Sequence, residues 1–244
     1  MKKKRASQPA PRNNVAGKHI QNEILMAMTP REFNLVRPHL QFVELEQHRI
    51  LYEPLRKLKF MYFPNHGLIS LVVVLKTGKT VEAGIVGREG ASGTALSAGV
   101  GTSALREIVQ ISGEGFRIKR EAFQKLLSVV PNLRKALNRY IVLLGMQVSQ
   151  TAACNRLHEI EQRLARWLLM AEDSTATPIL GITHDFLATM LGTDRPSVTL
   201  AAGLLQKAGL IEYGRGVVKI TNRPQLESFA CECYSVIRAY STKL

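Results

Sequence analysis

The sequence predicts an α+β fold: a jelly-roll-like β-roll, then one long helix, then a winged helix-turn-helix. Short apolar runs separated by glycine turns fill residues 43–118 and predict about eight antiparallel strands. A helical apolar pattern continues without a break over residues 131–155. Residues 182–220 contain two short helical patterns joined by a glycine and followed by two strands.

Composition limits the class of protein. At 244 residues, with 45% hydrophobic side chains, the chain is long enough for two domains with a sizeable core. No apolar run reaches the roughly 18 residues of a membrane span, and the basic N-terminus lacks the apolar segment of a signal peptide. Three cysteines, an odd number, predict a reducing, cytoplasmic setting rather than a disulfide framework.

The formal net charge of +14 favours an anionic partner such as nucleic acid. Residues 1–18 hold six Lys or Arg and no acidic residue, and we expect them to be a disordered basic tail. Such a tail is either an arm that adds nonspecific contacts to nucleic-acid phosphates or a solvated leader segment. Residues 156–244 hold 10 basic and 9 acidic residues. Any nucleic-acid binding there must therefore depend on where single cations are placed.

The first half changes from helical to strand periodicity. Residues 20–40 are expected to be helical, and Thr29 with Glu32 predicts the start of a second short helix. Turns are expected at residues 65–67 and 76–79 because glycines interrupt the apolar runs there. The predicted strands cover residues 43–45, 50–52, 60–63, 68–75, 81–86, 105–111 and 115–118.

The long helix begins at Pro131 and is apolar on more than one face. One set of apolar positions steps by four and three, as in a coiled-coil seam, and a second set lies beside it. Such a helix must be covered from more than one side, by the β-roll and a second copy or within a monomer. The expected dimer interface comprises Leu133, Leu137, Tyr140, Ile141, Leu144, Val148 and Thr151.

Local signals mark the helix-turn-helix. Thr183 can cap its first helix, and Gly192 permits the chain to reverse. Thr193 or Asp194 caps the second helix, and Pro196 fits its first turn because the missing N–H has no role there. The buried stripe of the second helix is predicted to be Val198, Ala201, Ala202, Leu204 and Leu205.

A wing and a last helix follow. Gly209 ends the second helix, Leu210 begins a strand, and Gly214 and Gly216 make a tight turn into a returning strand at residues 217–220. A single final helix is expected over residues 226–240.

The second helix is expected to expose Arg195, Ser197, Thr199 and Gln206. An arginine fork grips guanine or phosphate, and hydroxyls bond base edges or phosphate oxygens. The alternative is a small helical subdomain with ordinary solvated polar residues. The added wing favours DNA binding.

These motifs resemble the DNA-binding domain of the Crp/Fnr transcription regulators over residues 156–223. The Tyr62-Phe63-Pro64-x-x-Gly67 run is similar to the sensor β-roll of the same family, and Cys231-Glu232-Cys233-Tyr234 looks like the tail of one branch. The matching motifs of the DNA-binding part are Glu161-Gln162-Arg163-Leu164-Ala165-Arg166-Trp167-Leu168-Leu169, Phe186-Leu187-Ala188-x-Met190-Leu191-Gly192, Arg195-x-Ser197-Val198-Thr199 and Ala208-Gly209-Leu210-Ile211.

The resemblance implies a homodimer on near-palindromic double-stranded DNA, acting with RNA polymerase. Family members that read the best-known operator carry glutamate and arginine where this chain has Pro196 and Leu200, so that operator is not implied. The expected DNA-binding residues are Thr183, Thr193, Arg195, Ser197, Thr199, Lys207, Arg215 and Lys219.

Cyclic-nucleotide members of this family bind phosphate in a glycine-rich cassette, which corresponds here to residues 87–104. The resemblance marks Glu89, Gly90, Thr102 and Ser103 as a possible effector pocket. The phosphate-binding arginine of the family is replaced by Thr102, and losing that cation costs several kcal/mol. We therefore expect a scaffold or a site for an unknown effector; a cyclic-nucleotide-dependent regulator is the alternative.

No catalytic residue, metal site or cofactor is expected. The six histidines form no His-x-His or His-x-x-x-His pair, and no catalytic triad is evident. The iron–sulfur sensors of the family need N-terminal cysteines, which this chain lacks. Cys231-x-Cys233 is interpreted as structural, with a redox role as its alternative. A β-barrel enzyme with an accessory winged helix is the other class considered.

The expected domain organisation is a tail at 1–18, a β-roll sensor at 19–130, a dimerisation helix at 131–155, a winged helix-turn-helix at 156–224 and a C-terminal helix at 225–244.

Overall fold

The computed structural model describes residues 11–241. Its first half consists of short helices, a two-stranded hairpin and two larger antiparallel sheets, and ends with a long helix. The strands are β1 (Arg12–Asn13), β2 (His19–Ile20), β3 (Gln41–Leu45), β4 (Ile50–Tyr52), β5 (Phe60–Pro64), β6 (Leu68–Val74), β7 (Thr80–Val86), β8 (Arg106–Ile111) and β9 (Gly113–Lys119). The helices are α1 (Glu23–Met26), α2 (Pro30–Val36), α3 (Arg120–Val129) and α4 (Pro131–Leu157).

The predicted disordered tail is too long. Strands β1 and β2 pair as a small hairpin, and the Asn14 side chain accepts hydrogen bonds from the backbone N–H groups of Ala16 and Lys18 at 3.0 and 2.9 Å. Residues 11–18 are therefore folded, because an asparagine closes the turn between two short strands. Residues 1–10 of the predicted tail lie outside the described residues.

The predicted start of α2 is confirmed in detail. The Thr29 hydroxyl accepts a hydrogen bond from the Glu32 backbone, and the Glu32 carboxylate accepts one from the Thr29 backbone. This capping box satisfies two N–H groups that a helix start leaves unpaired. Glu32 also accepts hydrogen bonds from the backbone and side-chain nitrogens of Asn132 at 2.9 and 2.7 Å. It therefore joins α2 to the first turn of α4.

The seven main strands form two sheets rather than a closed barrel. One has the order β3-β9-β5 and the other β4-β8-β6-β7, with every pairing antiparallel. Side chains from both sheets enter one apolar core, and helices α1 to α4 contribute to it. The predicted strands match those observed within a few residues. Helix α3 was not predicted; its buried residues are Phe123 and Leu126.

Helix α4 packs closely on the β-roll of its own chain, which corrects part of the expected dimer interface. Leu133, Leu137 and Tyr140 are no more than 5% exposed, within the core of the same chain. Thr151 is also buried and lies 3.4 Å from the Arg166 guanidinium. These four side chains offer no surface to a second copy. Ile141, Leu144 and Val148 are half-buried and remain predictions.

The second half is a helical domain with a three-stranded sheet in the order β10-β12-β11. Its core surrounds Trp167 and continues to Leu68 and Ile85 of the β-roll. Its elements are α5 (Ile160–Thr175), β10 (Ile179–Leu180), α6 (His184–Leu191), α7 (Arg195–Lys207), β11 (Ile211–Gly214), β12 (Val217–Ile220), α8 (Arg223–Phe229) and α9 (Glu232–Ser241).

The single final helix predicted at residues 226–240 is two helices. Ala230 adopts an extended conformation, with φ −63° and ψ 153°, and separates α8 from α9. This break turns Cys231 inward, where it is 4% exposed and lies beside Cys154 at the end of α4. Within residues 11–241, no helix is both long and apolar enough to cross a membrane.

Candidate nucleic-acid interface

Helix α6 begins and ends as its sequence predicts. The Thr183 hydroxyl accepts a hydrogen bond from the Phe186 backbone N–H at 3.2 Å. Gly192 has φ 61° and ψ 41°, a left-handed conformation that ends the helix and reverses the chain. The Arg163 guanidinium stabilises the turn by donating a hydrogen bond to the carbonyl of Leu191. The turn also lies close to the β-roll, since a Cβ at Gly192 would lie 3.1 Å from the Val81 side chain.

Helix α7 presents its first turn to solvent. Asp194 is the cap, accepting from the Ser197 backbone and hydroxyl at 2.9 Å each, so the Ser197 side chain already has a partner. The Arg195 side chain is 65% exposed and lies 3.5 Å from the equally exposed Asp185 carboxylate. An ion pair between such exposed groups contributes about 0–1 kcal/mol. The Arg195 guanidinium can therefore exchange this partner for a nucleic-acid oxygen.

A polar network joins both helices to the wing. Thr199 donates to the carbonyl of Arg195 at 3.0 Å, and its oxygen lies 3.0 Å from Nδ1 of His184. The His184 ring stacks on Tyr213 of β11 with centroids 3.9 Å apart. Burial and the nearby Arg195 charge lower the pKa of His184, which favours the neutral ring. The network places the N-terminus of α6, the middle of α7 and the wing side by side.

The wing is a tight hairpin with exposed cations. Arg215 and Gly216 both take positive φ, 51° and 78°, so the turn requires left-handed residues at these two positions rather than at Gly214. Lys219 of β12 is about half exposed and lies 3.5 Å from Glu212 on the neighbouring strand. Lys207, at the end of α7, is exposed as well. Thr193, in the turn before α7, is half-buried.

The predicted buried stripe of α7 is wrong at one position. Val198, Ala201, Ala202 and Leu205 are buried, but Leu204 is 53% exposed. Leu200, on the next turn back along the helix, is 71% exposed. The outward face of α7 therefore combines a guanidinium and a hydroxyl with two free leucines.

Of the four expected effector residues, only Glu89 lines the neighbouring cleft. Glu89 is half-buried, accepts a hydrogen bond from the Gly87 N–H at 2.8 Å, and borders a cleft of about 280 Å³ with Ser174 and Tyr234. Burial raises the pKa of this carboxyl. A Cβ at Gly90 would overlap the Tyr140 ring, so this glycine permits α4 to pack on the cassette.

Thr102 and Ser103 do not line that cleft. Thr102 is exposed, and its backbone forms an isolated β-bridge with Lys57. The Ser103 hydroxyl accepts a hydrogen bond from the Leu105 N–H at 3.1 Å. From the adjacent strand β8, the buried Glu107 carboxylate accepts hydrogen bonds from two residues of the cassette, the Ser92 hydroxyl and the Gly93 N–H, the latter at 3.0 Å. A carboxylate thus already occupies a backbone donor of the glycine-rich segment.

A cluster that the sequence did not predict joins the ends of α4 and α8. Cys154, His158, Cys231 and Cys233 place their sulfur and imidazole atoms within 4.8 Å of one another. Cys154 lies in the last turn of α4, and His158 is the residue that follows the helix, four positions along the chain. The sequence shows this spacing and the Cys231-x-Cys233 pair separately, but the approach of the two pairs depends on the break before α9.

Comparison with known protein families finds a match for the second half of the chain. Residues 162–229 match the family model described as a Crp-like helix-turn-helix domain. No curated protein sequence matches the chain.

Solved structures match over both halves. FixK2 from Bradyrhizobium japonicum has a TM-score of 0.66 at 14% identity, covering 79% of this chain and 98% of that chain. The c-di-GMP responsive global regulator CLP from Xanthomonas campestris has a TM-score of 0.64 at 15% identity, covering 79% and 99%. A Crp/Fnr-family regulator from Thermus thermophilus has a TM-score of 0.61 at 19% identity, covering 78% and 98%. At such identities the likeness shows a shared fold.

Proposed function

We propose that this chain, which carries a Crp-like helix-turn-helix domain on the fold of Crp/Fnr regulators, is a sequence-specific DNA-binding transcription regulator. One observation carries the proposal. The outward face of α7, the start of α6 and the wing adjoin through the Thr199–His184–Tyr213 network, and together they present the polar groups that duplex DNA requires.

Each part of this surface has a role in the proposed complex. Arg195 and Thr199 on α7 contact base edges in the major groove, and the exposed Leu200 contacts a thymine methyl group. The capped start of α6 at Thr183, with Arg215 and Lys219 of the wing, contacts phosphates. Thr193, Ser197 and Lys207 remain proposed DNA contacts. To contact DNA, the Ser197 hydroxyl would have to break or share its hydrogen bond to Asp194.

Arg195→Ala tests this reading. Once genomic footprinting has identified a site, the variant should bind that site about 1–3 kcal/mol more weakly and discriminate less at one base position. Lys125→Ala removes an exposed cation from α3 and is the matched control. If Arg195→Ala weakened random DNA as much as the specific site, Arg195 would contact only the backbone.

The proposal includes a homodimer that uses the free face of α4. Val142 is 57% exposed, and Gly145, Ser149 and Ala152 follow at steps of three and four, all exposed. A helix face of one valine and small residues permits close approach of a second helix. Two copies related by a two-fold axis would place their α7 helices about one DNA turn apart.

We propose that the β-roll does not bind a cyclic nucleotide. The phosphate-binding arginine that the family resemblance implies is replaced by the exposed Thr102, and the buried Glu107 carboxylate already accepts the N–H of Gly93. A second anion there would be desolvated beside a carboxyl group. Cyclic AMP and cyclic GMP should therefore give neither saturable binding nor thermal stabilisation, and a dose-dependent increase in Tm would contradict this.

The proposal assigns no catalytic role to the chain, so turnover by the purified protein would count against it. Contact with RNA polymerase stays a prediction, and co-purification of the two proteins on operator DNA is its test.

A further inference from the structure

We propose that Cys154, His158, Cys231 and Cys233 form a four-ligand site for a single zinc ion. The Cys154 and Cys231 sulfurs lie 3.5 Å apart, and the Cys233 sulfur lies 3.5 Å from Nδ1 of His158. With Zn–S near 2.3 Å and Zn–N near 2.0–2.1 Å, neighbouring donors of a tetrahedral site are about 3.5–3.8 Å apart. All four donors already lie within 4.8 Å of one another, so small side-chain shifts complete the tetrahedron.

The burial of the donors fits a closed, structural site. All three cysteines are buried and free, and the His158 side chain is 16% exposed. Four protein ligands leave no open position for water, which distinguishes a structural zinc site from a catalytic one.

The groups around the donors are those that orient metal ligands. Nε2 of His158 lies 3.1 Å from the Glu232 carboxylate, which directs the other ring nitrogen, Nδ1, toward the centre of the cluster. The Gln150 side chain donates to the Cys233 sulfur at 3.1 Å. A hydrogen bond to sulfur stabilises the thiolate form that a metal requires.

A buried cation beside the cluster balances its charge. Three thiolates and a neutral imidazole around Zn²⁺ carry a net charge of −1. The Arg166 guanidinium is 2% exposed, its Nε has no hydrogen-bond partner, and it forms no ion pair within the part of the chain that the structure describes. The positive charge of Arg166 lies close enough to Cys154 to interact with it electrostatically. An anionic centre next to Arg166 compensates the desolvation of this buried charge.

The spacing favours one ion over the other chemistries of cysteine. An iron–sulfur cluster binds its terminal ligands on different iron atoms, which requires wider separation than these donors have. A Cys154–Cys231 disulfide would need the sulfurs to approach from 3.5 Å to about 2.05 Å and would leave Cys233 and His158 unused. The borderline-soft Zn²⁺ ion suits thiolate and imidazole ligands together.

The site would fasten the last turn of α4 to the junction of α8 and α9. Removal of zinc should therefore loosen the contact between the long helix and the C-terminal domain. This proposal does not depend on the proposed DNA-binding function.

The test uses the full chain without DNA. Protein purified under reducing conditions, stripped with a chelator and reloaded with Zn²⁺ should bind a single ion, and its Tm should rise. Co²⁺ should give the intense visible absorption of a tetrahedral thiolate site. Titration with a thiol-specific mercurial should release zinc in parallel with modification of the three cysteines, and this measurement needs no variant.

Variants then assign the ligands. Cys233→Ser and His158→Asn should each weaken zinc binding more than about 100-fold, beyond the 10–100-fold expected for the outer partner in Glu232→Gln. His39→Asn changes an exposed histidine elsewhere and should leave affinity unchanged. Absence of stoichiometric zinc in reduced protein, an octahedral Co²⁺ spectrum, or a brown iron–sulfur chromophore in anaerobic preparations would overturn the proposal. Because no DNA is present, failure here leaves the DNA-binding proposal standing.

Discussion

The indole Nε1 of Trp167 donates a hydrogen bond to the Glu82 carboxylate across 2.7 Å. Trp167 lies on α5 of the C-terminal domain and Glu82 on β7 of the β-roll, so the contact joins the two halves of the molecule. Both residues are buried, and the Ser70 hydroxyl also donates to Glu82. Burial raises the pKa of Glu82 to about 7 despite these two donors.

The raised pKa of Glu82 predicts a pH-dependent stability. The unfolded chain releases this proton near 4.5, whereas the folded protein holds it until about 7. The contribution of Glu82 to the free energy of unfolding therefore falls as the pH rises through this window. Glu82→Gln keeps an acceptor for Trp167 but cannot ionise. Relative to the native chain, this variant should gain stability steadily between about pH 5 and about pH 8 in urea unfolding experiments.

Comparing Glu82→Gln with the native chain isolates one group, since burial raises the pKa of Glu89 and Glu107 as well. Glu44→Gln, at an exposed position on β3, is the control and should show no such trend. A constant difference between Glu82→Gln and the native chain across the pH range would mean that Glu82 titrates normally.

Glu32 predicts the opposite pH dependence. Hydrogen bonds from the Asn132 backbone and side chain lower its pKa to about 2, against the effect of burial. Its stabilisation is present above about pH 4.5 and is lost as the pH falls toward 2. Glu32→Gln should therefore reduce the free energy of unfolding by about 1.5–3 kcal/mol at neutral pH, the range for a hydrogen bond to a charged group.

The reduction caused by Glu32→Gln should shrink in acid, where the native carboxyl is itself protonated. Glu23→Gln, in the first turn of α1 with a side chain 58% exposed, is its control. Equal losses at neutral and acidic pH would show that geometry, not charge, holds α2 to α4.

Local signals predicted most of the elements because their causes lie within a few residues. The capping box at Thr29, the cap at Thr183 and the reversal at Gly192 all formed as expected. Each depends on backbone groups adjacent in sequence, so the residue type alone is informative.

Features set by distant contacts were missed. The break at Ala230 is accompanied by burial of Cys231 against Cys154, 77 residues away in sequence. Leu204 has the helical spacing of a core residue, but its side chain is exposed to solvent in the fold. Periodicity identifies an apolar face without stating what covers it. For the same reason, the spacing of Leu137 predicts contact with a partner, whereas the β-roll of the same chain covers this residue.

Two substitutions on α4 separate its two faces. Leu137 is fully buried against the β-roll, so Leu137→Ala should reduce the free energy of unfolding by about 2–5 kcal/mol. Val142 is exposed in the single chain, so Val142→Asp should cost little stability in the protomer while opposing dimerisation through charge repulsion. Unfolding by urea and molar mass by light scattering measure the two effects. A dimer unaffected by Val142→Asp would place the interface elsewhere.

Lys219→Ala tests the role of the wing through salt dependence. Residues 156–244 are nearly neutral, with 10 basic and 9 acidic residues, so each phosphate contact forms a large share of the electrostatic attraction. The Lys219 side chain is 52% exposed, and its pairing with Glu212 at 3.5 Å is too weak to hold it from phosphate. Each lysine–phosphate contact contributes about −1 to the slope of log K against log salt, because it releases a counterion.

In a dimer, Lys219→Ala should therefore reduce the magnitude of that slope by about 2 and weaken binding to specific and random DNA alike. Lys125→Ala removes the same charge from α3 and should change the slope far less. Equal slopes for Lys219→Ala and the native chain would mean that the wing does not touch the DNA backbone at this position.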